Sequence, residues 1–386
     1  MNESLPKIAD IVIIGGGVMG ASTAYHLAEA GVNDVVLVDR ETQFGLGATG
    51  RCAGGVRYQF ATEINVRLSI ASLKMIEEFE ETTGQDPFYR PCGYLFVLTN
   101  DEDLRTFQNN VQMQQALGVN TTWLDGDQVR SRLPLMHFED AVGGTIHERD
   151  GLADPNSIVM GYIQRARQLG VRTYTDIEVI NLADKAGRIS TVETTKGSIS
   201  TPIVVNAAGP WAGRIGAMVG IEVPITPIRR QMITTTPLPD LPADFPFVID
   251  FAQSLYFHRE GEGILTGMSN PEEEPGFDQS IDEIWELEAM EAAVKRMPML
   301  ENAGRMAGWA GLYEVTPDAH PIYGATEVQG FYIVGGFSGH GFMHGPISGK
   351  LMTEIILEGS SSTIDVSDLD LNRFAEGRLI HEYNVV

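Results

Sequence analysis

The sequence predicts an α/β protein in which an antiparallel α+β unit is inserted into a parallel-sheet domain. Three observations carry this. Short apolar runs, Asp10-Ile-Val-Ile-Ile14, Val35-Val-Leu-Val38, Ile203-Val-Val-Asn206 and Phe331-Tyr-Ile-Val334, have the pattern of strands covered on both faces. The first two flank a helical stretch of about 17–30 that Gly31 is placed to end, a β-α-β start that implies parallel pairing. Residues near 90–99 and 223–270 instead alternate in short runs, such as Gln231-Met-Ile-Thr-Thr-Thr236 and Ser254-Leu-Tyr-Phe-His258, as antiparallel strands with one open face do.

The remaining elements follow from the same cues. An amphipathic helix is expected over 157–169, with Pro155 near its start, and another from about Pro346 to Leu357. The parallel-sheet domain is expected to comprise 1–80, 150–222 and 305–386, and the inserted unit 81–149 and 223–304. The chain has 386 residues, 43% hydrophobic and 20% charged, a globular balance sufficient for two packed domains.

Composition excludes several classes of partner. A formal net charge of −25 repels phosphate backbones and anionic lipid, so neither nucleic acid nor membrane is expected as a partner. The acidic clusters at Glu272–Glu274 and between Asp282 and Glu291 read as solvated faces. No apolar run is long enough to span a bilayer, and the first one, Ile11 to Ile14, leads straight into glycines and reads as structure. Two cysteines, Cys52 and Cys92, are too few for a disulfide framework, so a cytoplasmic location is expected. The eight histidines match no metal-ligand spacing, and no metal is expected.

The chemistry starts at Gly15-x-Gly17-x-x-Gly20, between the first strand and the first helix. Gly15 permits the turn, Gly17 lets backbone approach a pyrophosphate, and Gly20 lets helix and strand pack closely. The helix N-terminus, with Val18 and Met19, offers N–H groups and partial positive charge to phosphate. Asp39, at the end of the second strand with Arg40 beside it, is placed to accept from ribose hydroxyls and disfavours a 2′-phosphate. These features together specify a Rossmann-like dinucleotide site. A second glycine loop, Gly335-Gly-Phe-Ser-Gly-His-Gly-Phe-Met-His-Gly345, again lies between strand and helix. A cofactor as long as FAD would draw contacts from both chain ends, which selects FAD over NAD. Gly336, Gly339, His340, Gly341, Phe342 and Met343 are its candidate contacts there, and the helix N-terminus would face the flavin pyrimidine. A third loop, Gly45 to Gly55, contributes Ala48, Thr49, Arg51, Gly54 and Gly55, and the turn after Asn206 contributes Ala208, Gly209 and Trp211.

The stretches IVIIGGGVMGASTAYHLAEAG, GATGRCAGGVR, VVNAAGPWAG, YEVTPDAHPIYG and GFSGHGFMHGPISGK together resemble the D-amino-acid-oxidase superfamily of FAD-dependent oxidoreductases. The resemblance runs from residue 11 to about 350 and is closest to the sarcosine oxidase, glycine oxidase and proline dehydrogenase β-subunit branch. It implies oxidation of an amino acid's C–N bond by hydride transfer to flavin N5. It places Arg57 where the family binds the substrate carboxylate, and Tyr256 and Tyr313 where aromatic residues line the substrate pocket. The departures are informative. Gly311 stands where single-subunit sarcosine oxidases carry the cysteine that bonds the flavin, so FAD is expected to be noncovalent. Met343 replaces a carboxylate-assisting lysine, Leu265 replaces the oxygen-activating lysine, and Pro155 stands where a related β-subunit carries an FMN-bearing histidine.

The residues themselves leave several roles open. Arg57 is a carboxylate fork or a phosphate or surface arginine. His258 shares a strand face with Tyr256 and is either pocket wall or packing. Tyr313 is pocket wall or core, and His340 is catalytic or structural, with His344 beside it. Trp211 is expected to pack against the cofactor loop, and Cys52 to be a small packing residue. The expected function is FAD-dependent oxidation of a small, secondary or N-methylated amino acid to an imine. The alternatives are a 2-hydroxy-acid dehydrogenase on the same fold and a flavin subunit of a larger complex with an electron-accepting partner.

Overall fold

The computed structural model describes residues 4–385. The apolar runs form one six-stranded sheet in the order Ile322–Ala325, Phe331–Gly335, Ile203–Asn206, Ile11–Ile14, Val35–Val38, Arg172–Tyr174. All neighbours are parallel except the first pair. Every side chain of Ile11–Ile14 and Val35–Val38 is buried, which explains the lack of alternation in the sequence. A fully buried aliphatic side chain contributes roughly 1.5–3 kcal/mol, so these short strands hold the sheet through packing.

The helix Val18–Glu29 lies against two others, Pro155–Gln168 and Gly341–Glu358. It sits close because glycines remove the obstacles. A Cβ on Gly20 would stand 1.9 Å from the Gly15 carbonyl oxygen, and one on Gly349 would stand 2.2 Å from Ser22 Oγ and 2.3 Å from the Ser22 carbonyl carbon. Ser22 Oγ donates to the Pro346 carbonyl at 3.0 Å and ties the two helices together. The C-terminal helix was expected to begin at Pro346; it begins at Gly341, with Pro346 inside it. A proline there removes a single backbone bond. The turn ahead of it is helical because Gly345 lets it seat on Val18, where a Cβ would meet Val18 Cγ2 at 2.3 Å.

The second large sheet has eight strands in the order Arg305–Val315, Thr226–Thr235, Gly263–Met268, Leu255–Glu260, Phe247–Asp250, Tyr94–Leu98, Gly143–His147, Thr122–Asp125. Its pairings are antiparallel except that between Phe247–Asp250 and Tyr94–Leu98. The mixed α/β architecture expected from the sequence is therefore present. One boundary differs. Arg305–Val315 was expected with the first domain, yet it pairs along its length with Thr226–Thr235. Its apolar and polar residues are interleaved with glycines at 308 and 311, which hid the strand pattern. A three-stranded antiparallel sheet, Val179–Ser200, completes the frame.

The helix contact yields a direct test. Gly349→Val drives side-chain atoms into the Ser22 backbone, and overpacking of this kind costs roughly 1–3 kcal/mol. The urea midpoint of the variant should fall accordingly, while Gly359→Ala, where a Cβ meets nothing within 4 Å but φ is +85°, should fall less.

Candidate cofactor and substrate site

One cavity is lined by residues of both large sheets and from both ends of the chain, from Ile14 to Val385. At its centre is the first β-α turn. Gly15 adopts φ 107°, and a Cβ there would stand 2.3 Å from the Ala207 carbonyl oxygen, so only glycine makes this turn beside the neighbouring strand. Gly17 bares its backbone to the cavity, and no side chain of its own caps the helix. The Val18 N–H instead donates to Thr49 Oγ1 at 3.1 Å.

Toward one end stand Asp39, Arg40, Val179, Ala208 and Trp211. The Asp39 carboxylate accepts from the Gly16 and Glu41 N–H groups, and burial pushes its pKa up against those bonds. The Arg40 guanidinium lies 3.6 Å above the Trp211 ring and covers this end. The Trp211 ring in turn stacks on Phe277 at 5.6 Å. Trp211 thus forms cavity wall as well as packing.

Toward the other end stand Arg51, Gly54, Gly55, Arg57, Tyr256, Tyr313 and the Ser338–Met343 turn. Strand register explains how the tyrosines reach it. Tyr256 pairs with Gly267, and its hydroxyl lies 2.4 Å from where a Cβ on that glycine would be. Tyr313 lies over Gly339 in the same way, with Cε2 2.4 Å from the corresponding Cβ position. Burial raises the pKa of Tyr94, Tyr256 and Tyr313 above the ordinary phenol range, so all three are neutral.

Arg57 lines the cavity but is already engaged. Its Nη1 and Nη2 donate to the carbonyls of Gln59 and Asn384, and its guanidinium lies 3.9 Å from the Phe60 ring centre. Asn384 is brought there by a strap. The Glu382 carboxylate accepts from the N–H groups of Ala61 and Thr62, the Thr62 hydroxyl and the Asn65 amide, at the N-terminus of helix Glu63–Glu77. Val385 then reaches the cavity wall.

Four sequence expectations change. Gly20 and Gly336 are absent from the cavity lining among the described residues: Gly20 packs on Gly15, and Gly336 on Thr316, where a Cβ would meet Cγ2 at 2.5 Å. His258 shares the strand face of Tyr256 but lies behind the cavity, its ring 5.0 Å from that of Phe247 and its Nδ1 3.1 Å from the Arg259 carbonyl. Phe247 occupies the wall in its place. His340 lines the cavity, yet both ring nitrogens are spoken for. Nε2 lies 3.1 Å from the Ala319 carbonyl oxygen, so it carries the proton, and Nδ1 lies 3.1 Å from His344 Nδ1. His344 Nε2 in turn contacts Ser69 Oγ at 2.9 Å. Burial lowers the pKa of His340 to about 3 and also lowers that of His344. The two rings form a neutral hydrogen-bonded chain at the start of helix Gly341–Glu358. Cys52 lines the cavity with its thiol pushed up to about 12 by burial, and is unreactive.

Residues the sequence reading passed over include Tyr94, Phe247, Arg230 and Glu314, all in the lining. Glu314 directly follows Tyr313, and Arg230 sits in the alternating run, so neighbourhood could have flagged both. Nothing local marks Tyr94 or Phe247. Glu314 Oε2 and Arg230 Nε are buried without hydrogen-bond partners among the described residues.

These features fit FAD. Glycine backbone is exposed at Gly15, Gly17, Gly54, Gly55, Gly339 and Gly341, and the walls run from an acidic turn to an aromatic chamber. The family of FAD-dependent oxidoreductases known as DAO matches residues 10–355. The chain belongs to this family.

FAD is accordingly its cofactor. Among curated relatives, rat (Rattus norvegicus) mitochondrial dimethylglycine dehydrogenase is 30% identical over 95% of this chain and 45% of its own length. Mouse (Mus musculus) mitochondrial sarcosine dehydrogenase is 30% identical over 97% of this chain and 42% of its own. The chain therefore spans less than half the length of these relatives. The structure of L-proline dehydrogenase from P. horikoshii superposes with a TM-score of 0.90 at 33% identity, covering 97% of this chain and all of the other. Glycine oxidase from Geobacillus kaustophilus gives a TM-score of 0.84 at 24% identity, covering 95% and 99%, a likeness of fold. Among the described residues no helix is long and apolar enough to cross a membrane, and no cluster of metal-binding side chains exists.

Glu314 provides the test of this subsection. Burial raises its carboxyl from an ordinary 4.5 to about 7, against the backbone N–H groups of Gly336 and Phe337. A raised acid favours the folded state at low pH. That contribution is fully present below about 4.5 and is lost as pH rises toward 7. It amounts to roughly 3 kcal/mol at most. Between pH 5 and 7.5 the melting temperature of FAD-free protein should fall more in the wild type than in Glu314→Gln; parallel curves would show that the carboxyl is not so perturbed.

Proposed function

We propose that this chain oxidises the C–N bond of a small secondary or N-methylated amino acid, giving an imine that water hydrolyses. The carrying observation is the aromatic chamber itself. Three neutral phenols and the guanidiniums of Arg57 and Arg230 line it, no histidine, lysine or thiolate among the described lining residues is available as a base at neutral pH, and the Glu314 carboxyl in the lining is raised to about 7. Such a wall suits a reaction that needs orientation and dryness more than proton abstraction from carbon. Bound FAD supplies the hydride acceptor.

The chain's own residues would do the rest. Arg57, rigid between two carbonyls and the Phe60 ring, presents its remaining donor edge to the substrate carboxylate. Tyr94, Tyr256 and Tyr313 exclude water and hold the amine, neutral and with its lone pair free, beside the C–H bond that breaks. The electron pair of that bond leaves with the hydrogen, and the nitrogen lone pair closes the C=N bond. The names of the relatives, dehydrogenases of dimethylglycine, sarcosine and L-proline, support a substituted amine.

Electron disposal fits an acceptor other than oxygen. No lysine lines the cavity among the described residues, Met343 occupies a lining position, and Leu265 is core. We propose a dehydrogenase holding FAD without a covalent bond, with Gly311 at the wall, and re-oxidised by a carrier or partner subunit. Cys52 and Cys92, both free thiols, agree with a reducing compartment such as the cytoplasm.

Anaerobic mixing of the FAD-loaded protein with sarcosine, dimethylglycine or L-proline should bleach the flavin band, whereas lactate should not. Bleaching by lactate alone would replace the reading with hydroxy-acid oxidation. Arg57→Lys keeps the charge and loses the fork, so its KM for the amine that works best should rise by about 10–100-fold, the worth of one charge-assisted bond. An unchanged KM would remove Arg57 from carboxylate binding.

A further inference from the structure

Arg230 is a cation in the cavity wall with no anion to meet. It lies on strand Thr226–Thr235, paired across to Gly311. Its Nη1 donates to the Arg229 carbonyl at 3.0 Å, and its buried Nε has no acceptor among the described residues. Its neighbour on the opposite strand face is treated differently. Arg229 is met by Glu273 at 3.0 Å, Asp278 at 3.2 Å and Asp282 at 3.8 Å. In a chain of net charge −25, no carboxylate forms an ion pair with Arg230 among the described residues. Leaving a cation half-buried and unpaired costs stability unless a ligand supplies the counter-charge.

Its position says which ligand group would do so. The Arg230 guanidinium lies 5.2 Å from the centre of the Tyr313 ring, and Tyr313 is also within the electrostatic reach of Arg57. Two guanidinium groups of the lining, Arg57 and Arg230, therefore act on one tyrosine. A monocarboxylate that engages Arg57 leaves Arg230 unanswered. A protein this acidic would also repel a dianion unless local cations compensated for it.

We propose that Arg230 is a specificity-determining residue that receives a second anionic group, so that the preferred substrates are amino dicarboxylates: secondary amines with one carboxylate for Arg57 and another for Arg230. This rests on the amine-oxidation reading above but is tested separately from it. The probes are diglycolate, which has oxygen in place of the amine nitrogen, and methoxyacetate, which lacks its second carboxylate. Binding of each to FAD-loaded protein is read from the shift of the flavin absorption band, in the wild type, Arg230→Gln and Arg230→Lys.

Diglycolate should bind the wild type at least about tenfold more tightly than methoxyacetate. Arg230→Gln should bring the ratio near one by weakening diglycolate far more than methoxyacetate, and Arg230→Lys should restore part of it. KM values for iminodiacetate and sarcosine should follow the same pattern. A wild-type ratio near one, or a ratio that survives in Arg230→Gln, overturns the proposal. So does a loss of FAD affinity in both variants, which would assign Arg230 to the cofactor. If diglycolate selectivity depends on Arg230 while no amine bleaches the flavin, the amine-oxidation reading fails and the two-anion site stands.

Discussion

The close approach of backbone to backbone around the first helix is the constraint on which the structure depends. Gly15 turns beside the Ala207 carbonyl, Gly20 seats the helix on that turn, and Gly345 and Gly349 let the C-terminal helix press against Val18 and Ser22. The two pairs are far apart in sequence and meet around one helix. Because that helix is fixed from several sides, its N-terminus is held in the cavity wall, where the Val18 N–H donates to Thr49. The sheet order follows from the same contact, since Ile11–Ile14 sits between Ile203–Asn206 and Val35–Val38.

The two sheets divide the chemistry between them. The parallel sheet supplies backbone groups and a carboxylate turn, which suit a nucleotide. The mixed sheet supplies Tyr94, Arg230, Phe247, Tyr256 and Tyr313, which suit a small anionic molecule against a flat ring. Side chains cross between the parts at Arg51, which donates to the Ala310 carbonyl at 2.9 Å and whose own carbonyl accepts from Trp309 Nε1 at 3.1 Å. The loop that follows the first two strands is thereby fastened to the edge strand of the second sheet.

Legibility in the sequence followed the range of the physics. The β-α-β start was readable because its signals are local: a run of buried apolar residues, glycines at fixed spacing, an acid at the next strand end. Most of the glycine-loop positions that line the cavity were legible for the same reason. Resemblance pointed to Arg57, Tyr256 and Tyr313, and the structure brings all three to one cavity. What failed was long-range. Period-two alternation puts Tyr256 and His258 on one face, but only the fold shows that Phe247 fills the wall in front of the histidine. His340 stands in a loop that invites a catalytic reading, and its commitment to Ala319 and His344 is visible only in three dimensions. Tyr94 and Phe247 reach the chamber through strand order, which no local pattern encodes. The strand Arg305–Val315 was missed because glycine interrupts it, and the same glycine at 311 faces Arg230 across the sheet.

The Glu382 strap bears on biogenesis. The first glycine turn is translated early, whereas Asn384 and Val385, which finish the wall beside Arg57, are translated far downstream. At ordinary elongation rates the interval is on the order of tens of seconds. During it the Arg57 guanidinium lacks one of its carbonyl acceptors, and the N-terminus of helix Glu63–Glu77 lacks its carboxylate. The wall beside Arg57 is therefore among the last parts of the cavity to be completed during synthesis.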